Sequence, residues 1–279
     1  MELDRIAALL RPFLQEAGSS TNAADMQRPF PGAVLNEHQL HSILTYINIL
    51  LRWNARTNLT AIRDHEEIVT RHFGESLFAA RHLFPHDSQQ LARNDSPGAP
   101  SKPDLGLSGE VSNCHLLDLG TGAGFPGLPI KIWVPYIHLT LVESNQKKAT
   151  FLKEVCRALT LTDVNVLSVR AGMPQQNQPR GHASRQGLSS AGSLVTQIAP
   201  ADVVTLRAVE RFDQVLPIAE ALVAPGGRLA LFVSCQQLSL VGSRAGEVES
   251  QVSFAWQPPI PIPQSSSRIL VIGQRNIAG

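Results

Sequence analysis

From residue 114 onward, short aliphatic runs alternate with amphipathic helical patterns, and few folds satisfy that rhythm. The runs are "HLLDLG" (115–120), "HLTLVES" (138–144), "VNVLSV" (164–169), "ADVVTL" (201–206), "RLALFVS" (228–234) and "RILVIG" (268–273). Strands that are almost continuously apolar belong to parallel sheets with helices on both faces. The spacers "NQKKATFLKEVCRAL" and "RFDQVLPIAEALVA" carry apolar residues at helical spacing. The expected fold is therefore α/β, a mostly parallel doubly wound sheet. Before the last run stands "VSFAWQPPIPIPQSSS", too short and too rich in proline for a crossover helix. The final strand is thus expected to return through a hairpin and to lie antiparallel.

An N-terminal helical segment, residues 1–85, precedes this unit. Leu40, Ile43, Leu44, Ile47, Leu50 and Leu51 recur at three and four residue spacing, with Trp53 extending the apolar surface. In "RDHEEIVTRHF", Asp64 and Glu67 have the spacing of a capping box, followed by Ile68, Phe73, Leu77 and Ala80 on one side. A helical pair is expected, most of its apolar residues packing. Residues 86–113 are rich in Ser, Pro, Gly, Asn and Asp and are expected to form a flexible linker to the unit at 114–279. A similar stretch at 175–193 reads as a mobile insertion within it.

Composition removes several classes of function. The chain of 279 residues is 43% hydrophobic, enough for a sizeable core, yet has no run of about 18 apolar residues to span a bilayer. Its start, "MELDRIAALLRPFLQEAG", carries acids where a secretory signal carries a basic patch. A soluble cytoplasmic protein without a membrane partner is expected. Cys114, Cys156 and Cys235 are far apart, with no CxxC pair and no histidine at ligand spacing, so neither a disulfide framework nor a metal site is expected. The formal net charge is +1, but acids are missing from 164–201 and after Glu249, where Arg170, Arg180, Arg185, Arg268 and Arg275 stand. Either a local basic surface or solvated loop charges fit that pattern.

The run "HLLDLGTGAGFPGLPIKI" (115–132) places Gly120, Gly122, Gly124 and Gly127 at the C-terminal end of the first strand, where open α/β sheets bind ligands. Glycine there permits positive φ and lets a ligand approach the main chain. Glu143, at the tip of the second strand, can accept hydrogen bonds from both hydroxyls of a ribose. Strand, glycine loop and acid together describe a nucleoside crevice. A dinucleotide needs its pyrophosphate at a helix N-terminus, whereas Pro126 and Pro129 are expected to stiffen a loop here. With a single glycine fingerprint, a "PGG" turn at Pro225–Gly227 and a terminal hairpin, the pattern favours a Rossmann-like class I methyltransferase using S-adenosylmethionine. In that reading Gly120, Gly122 and Gly124 make room for the methyl donor.

"LLDLGTGAGFPGLPIKI", "LTLVESNQKKATFLKEV", "DVVTLRAV" and the upstream "WNARTNLTAIRDHEEIVTRHFGESL" together resemble the small-subunit ribosomal RNA methyltransferase G family, also called glucose-inhibited division protein B. The resemblance covers roughly residues 36–84 and 114–279. It implies methylation of guanine N7 in 16S ribosomal RNA near the decoding centre, with the RNA or the small ribosomal subunit as partner. It also implies methyl-donor contacts at Gly120, Phe125, Ala171, Gly172 and Arg207, with Arg207 the candidate catalytic residue. Each has a packing alternative: Phe125 as core, Ala171 and Gly172 as a turn, Arg207 as a salt bridge. Arg71 and His72 match the family's RH pair and, with Lys147 and Lys148, are the candidate substrate-binding residues. A structural role is the alternative for a helical histidine.

Three positions depart from the family pattern: Gly172 replaces an acid, Ser234-Cys235 replaces Lys-Gly, and Glu75 replaces Asp. Guanine N7 has a lone pair and no proton, so transfer to it requires in-line placement and no base. A pyrimidine C5 reaction needs a cysteine nucleophile, and amino-group reactions an Asn/Asp-Pro-Pro-aromatic turn where this chain has "LRAV". Two rivals remain: a methyltransferase for a small molecule or protein, and a binder of the methyl donor without catalysis. Oligomeric state is left open.

Overall fold

A computed structural model describes residues 1–15, 35–84, 114–169, 198–209, 211–244 and 253–277. The linker at 86–113, the insertion at 175–193, and Ala171 and Gly172 lie outside the described residues. Eight strands form one sheet: β1 (His115–Leu119), β2 (His138–Val142), β3 (Val164–Leu167), β4 (Ala201–Arg207), β5 (Val223–Ser234), β6 (Phe254–Trp256), β7 (Ile260–Pro261) and β8 (Arg268–Arg275). Their order is β3-β2-β1-β4-β5-β8-β6, with β7 also on β8. β1 to β5 are parallel. β8 runs antiparallel to β5 and takes β6 and β7 antiparallel, as the proline-rich connection requires. β5 starts earlier than its aliphatic run because the register shifts between Ala201 and Val203, with Gly226 at φ +77° in the bulge.

Alternate residues of each strand feed opposite faces. Leu116, Val203, Ala230, Phe232, Leu270 and Ile272 face one core. Leu117, Leu119, Val204, Leu206, Leu229, Leu231 and Val233 face the other, under α7 (Phe212–Ala221). The first core is shared by α5 (Gly127–Trp133), α6 (Gln146–Ala158) and the N-terminal helices α1 (Leu3–Leu14) and α2 (Glu37–Asn54). Also in it is a continuous helix made of α3 (His65–Glu67), a π-helical turn (Ile68–Gly74) and α4 (Glu75–Leu83). The N-terminal segment is therefore built into one face of the sheet's core. It contains α1 beyond the expected pair.

Local chemistry explains the joins. Asn36 caps α2 in a full capping box with Gln39, whose amide also donates to Ile132 O at 3.0 Å and ties α2 to the end of α5. Asp64 caps α3 through Glu67 N at 2.8 Å. Arg228 of β5 donates to Leu83 O at 2.6 Å, where the α4 dipole ends in a free carbonyl. Ser234 and Gln237 bond reciprocally and start α8 (Cys235–Arg244), so the position that departs from the family's lysine serves as a helix cap.

Candidate active site

The glycine run turns from β1 into α5 at the C-terminal edge of the sheet, and three side chains hold it. Glu143, buried at the end of β2, accepts from Gly122 N at 2.9 Å and from Asn145 N at 2.7 Å. Asp118, buried in β1, accepts from Thr121 Oγ1, from Gly127 N at 3.0 Å and from Thr205 Oγ1 at 2.8 Å. Burial pushes its carboxyl upward, and those bonds with the Arg207 charge oppose the shift. Tyr46 of α2 donates to Ala123 O. Asp118, Thr205 and Tyr46 were not among the expected residues, although an acid inside the apolar "LLDLG" is a visible anomaly that only a partner can explain.

The four glycines serve different needs. Gly120, Gly122 and Gly124 have φ of +70°, +59° and +90°. A Cβ on Gly122 would meet nothing within 4 Å, so this residue borders open space. A Cβ on Gly124 would overlap Tyr46 Oη and stand 2.6 Å from Leu128, and one on Gly127 would lie 2.7 Å from Leu141 and 2.9 Å from Asp118. Those two glycines admit neighbouring parts of the protein. The expected stiff loop past Pro126 is instead the helix α5, whose Gly127 N–H is capped by Asp118.

Phe125 is buried in an aromatic group: parallel to Tyr46 at 5.3 Å and to His72 at 4.6 Å, and edge-on to Phe73. His72 Nε2 meets Thr60 Oγ1 at 2.8 Å, and its Nδ1 lies 3.4 Å from Arg207 Nη2. Burial, then the Arg207 and Arg71 charges, lower its pKa to about 3, so the ring is neutral. With the Arg207 guanidinium 3.4 Å from Nδ1, a proton on that nitrogen is disfavoured, and Nε2 carries it toward Thr60.

Arg207 emerges at the edge of β4, and its guanidinium turns to the π-helical turn. Nη2 donates to Arg71 O at 2.6 Å and Glu75 Oε2 at 3.0 Å, while Nη1 reaches His72 O at 3.5 Å. A π turn loosens the helical ladder, and these carbonyls accept side chains, Ser76 Oγ also reaching His72 O at 2.6 Å. Glu75, 1% exposed, has Arg268 Nη2 at 2.9 Å and Arg71 Nε at 3.4 Å from Oε1, neither in hydrogen-bond geometry. Burial raises its pKa, and Arg207 and Arg71 counter that. The Arg207 pKa is lowered, first by burial.

Arg71 remains partly exposed, 3.7 Å from Glu67. Lys147 is exposed and Lys148 half-buried at the start of α6, both N–H groups capped by Asn145 Oδ1. Arg268 and Arg275, both half-buried, reach Glu75 and Val223 O. Among the described residues no helix is long and apolar enough to cross a membrane, and no group of three or more His, Cys, Asp or Glu is arranged to hold a metal.

A sheet of this order, closed by an antiparallel β8 and carrying a glycine loop beside a strand-end carboxylate, is that of a class I methyltransferase. The chain belongs to the rRNA small subunit methyltransferase G family, GidB, whose model matches residues 39–92 and 106–239. It is 35% identical over 198 residues to the ribosomal RNA small subunit methyltransferase G of Chloroflexus aggregans, covering 71% of this chain and 65% of that one. To the protein of the same name in Roseiflexus castenholzii it is 34% identical over 242 residues, covering 86% and 85%. To that of Listeria monocytogenes it is 29% identical over 251 residues, with the same coverage.

Proposed function

We propose that this protein methylates guanine N7 in 16S ribosomal RNA near the decoding centre, in the cytoplasm, with S-adenosylmethionine as methyl donor. One observation carries the choice of N7. The acids and the histidine described around the loop already hold protein partners, and the lone pairs left on Glu143 go to the ribose of the methyl donor in this reading. Glu143 and Asp118 hold backbone N–H groups, His72 has a partner on each nitrogen, and Arg207 and Glu75 hold each other. A nucleophile that must lose a proton would need one of them free as a base. N7 carries no proton, and its attack needs placement alone.

The residues at the loop fit the methyl donor. Gly122 leaves open space where a Cβ would intrude, and each Glu143 oxygen, with one N–H bound, keeps a lone pair for a ribose hydroxyl. When bound, S-adenosylmethionine supplies an electrophilic methyl group on a sulfonium. Gly120, Gly122 and Glu143 bind and orient it in this reading, while Phe125, Gly124, His72 and Arg207 hold the loop and the π turn in place. Arg71, Lys147 and Lys148 offer positive charge to RNA phosphates. Ala171 and Gly172 are kept as candidate methyl-donor contacts.

The test is to map 7-methylguanine in 16S RNA from cells with and without the gene, by reduction and strand cleavage at the modified base. One cleavage lost on deletion and restored by the gene is the expected result. Identical patterns in both strains would overturn the assignment.

A further inference from the structure

The glycine loop is gripped by two opposite chemistries. The strands beneath it take its N–H groups, through Glu143 at Gly122 and Asp118 at Gly127. Among the described residues one loop carbonyl receives a side-chain hydrogen bond, that of Ala123, and it comes from Tyr46 in the middle of α2. Tyr46 is fully buried. Its ring contacts with Phe125, Phe73 and Phe151 would be kept by a phenylalanine, so the hydroxyl, costly to desolvate, is accounted for only by its bond.

The bond has leverage because a peptide unit is planar. Fixing the Ala123 carbonyl toward α2 points the N–H of the same unit, that of Gly124, the other way, where it donates to Thr121 O at 2.9 Å. That closes the turn displaying Gly122. Gly124 itself lacks a side chain where the Tyr46 hydroxyl sits, so the two positions depend on each other.

We infer that Tyr46 is a positioning residue for binding of the methyl donor: its hydroxyl locks the turn from Thr121 to Gly124 in the binding form. The N-terminal helices thereby set affinity at a loop they only support. This rests on the glycine loop being the S-adenosylmethionine site.

The experiment compares full-length wild type with Tyr46→Phe. S-adenosylmethionine is titrated by calorimetry, and methyl transfer to small ribosomal subunits is measured over a range of its concentrations. Loss of the bond is expected to raise Kd and KM for S-adenosylmethionine about tenfold, with kcat at saturation within about twofold of wild type. Hydrogen exchange at the Gly124 amide should speed up in the same variant, a readout independent of activity. A merely structural tyrosine would lower the unfolding midpoint and leave Kd and KM unchanged, which overturns the inference. Equal binding by both proteins overturns it alone, whereas a wild type that binds no S-adenosylmethionine overturns it together with the proposed function.

Discussion

Replacing Arg207 by lysine separates a clamp from a ligand-binding group. Two of its bonds are strong, to Arg71 O at 2.6 Å and Glu75 Oε2 at 3.0 Å, and the two to His72 are at 3.4 and 3.5 Å. Lysine keeps the charge but brings one nitrogen where arginine brings a planar fork, so it cannot serve carbonyl and carboxylate in the same geometry. The carbonyl left unpaired and the weakened buried ion pair should together cost about 2–4 kcal/mol of stability. For a domain of this size that is a fall in melting temperature of about 5–15 °C. Urea unfolding and initial rates of methyl transfer are measured on one preparation, each rate divided by the folded fraction. A clamp predicts a lower midpoint with the rate per folded molecule within about threefold of wild type. An unchanged midpoint with at least a tenfold loss of rate would refute the clamp and put the guanidinium on the methyl donor or the RNA. Glu75→Gln attacks the same pair from the other end, so the double variant should lose less than the sum of the two.

Three further outcomes are expected. Because the folded His72 stays neutral down to about pH 3, the unfolded chain takes up its proton first below its ordinary 6.5. Its contribution is thus present above about pH 6.5 and lost toward pH 3, by up to about 1.4 kcal/mol per pH unit. Glu75, with its pKa raised, acts in the opposite sense, so the difference in unfolding free energy between wild type and His72→Gln isolates the histidine; a difference that is flat with pH refutes the reading. Glu143→Gln should weaken S-adenosylmethionine binding by about 1–3 kcal/mol in calorimetry, and unchanged affinity would remove Glu143 from the site. Gly127→Ala, with its Cβ 2.7 Å from Leu141, should destabilise by about 1–3 kcal/mol in denaturant unfolding, and a neutral effect would show that Leu141 yields.

What the sequence revealed of the fold follows from how local each signal is. Strands buried on both faces have to be apolar runs, and α2 has to show a stripe, so both were legible. The helix α1 carries the same kind of signal in Ile6, Leu10, Phe13 and Leu14, over 12 residues against the 18 of α2. By contrast α5 is buried on every side, so "GLPIKIW" has no stripe and its prolines look like loop. The Ser234 capping box stands in the sequence as S-x-x-Q, at a position where the family carries lysine. No local pattern could announce the π turn or the pairing of Arg207 with Glu75, 132 positions apart. Both exist because a strand end and a helix meet in three dimensions.

The glycine run shows the same division within eight residues. A motif of this kind invites the reading that every glycine clears space for a ligand, yet the backbone answers position by position. At Gly124 and Gly127 the close neighbours are Tyr46, Leu128, Leu141 and Asp118, all parts of the chain itself. Only at Gly122 does open space lie where the side chain would be, and there the positive φ alone already favours glycine. A Cβ on Gly120 would lie 3.2 Å from Val209, so the run is a cradle at Gly122 and mostly a joint elsewhere. The joint is what couples the cradle to α2 and to β1, so changes at Tyr46 or Asp118 should reach the methyl donor through the backbone of Ala123 and Gly127 without touching it.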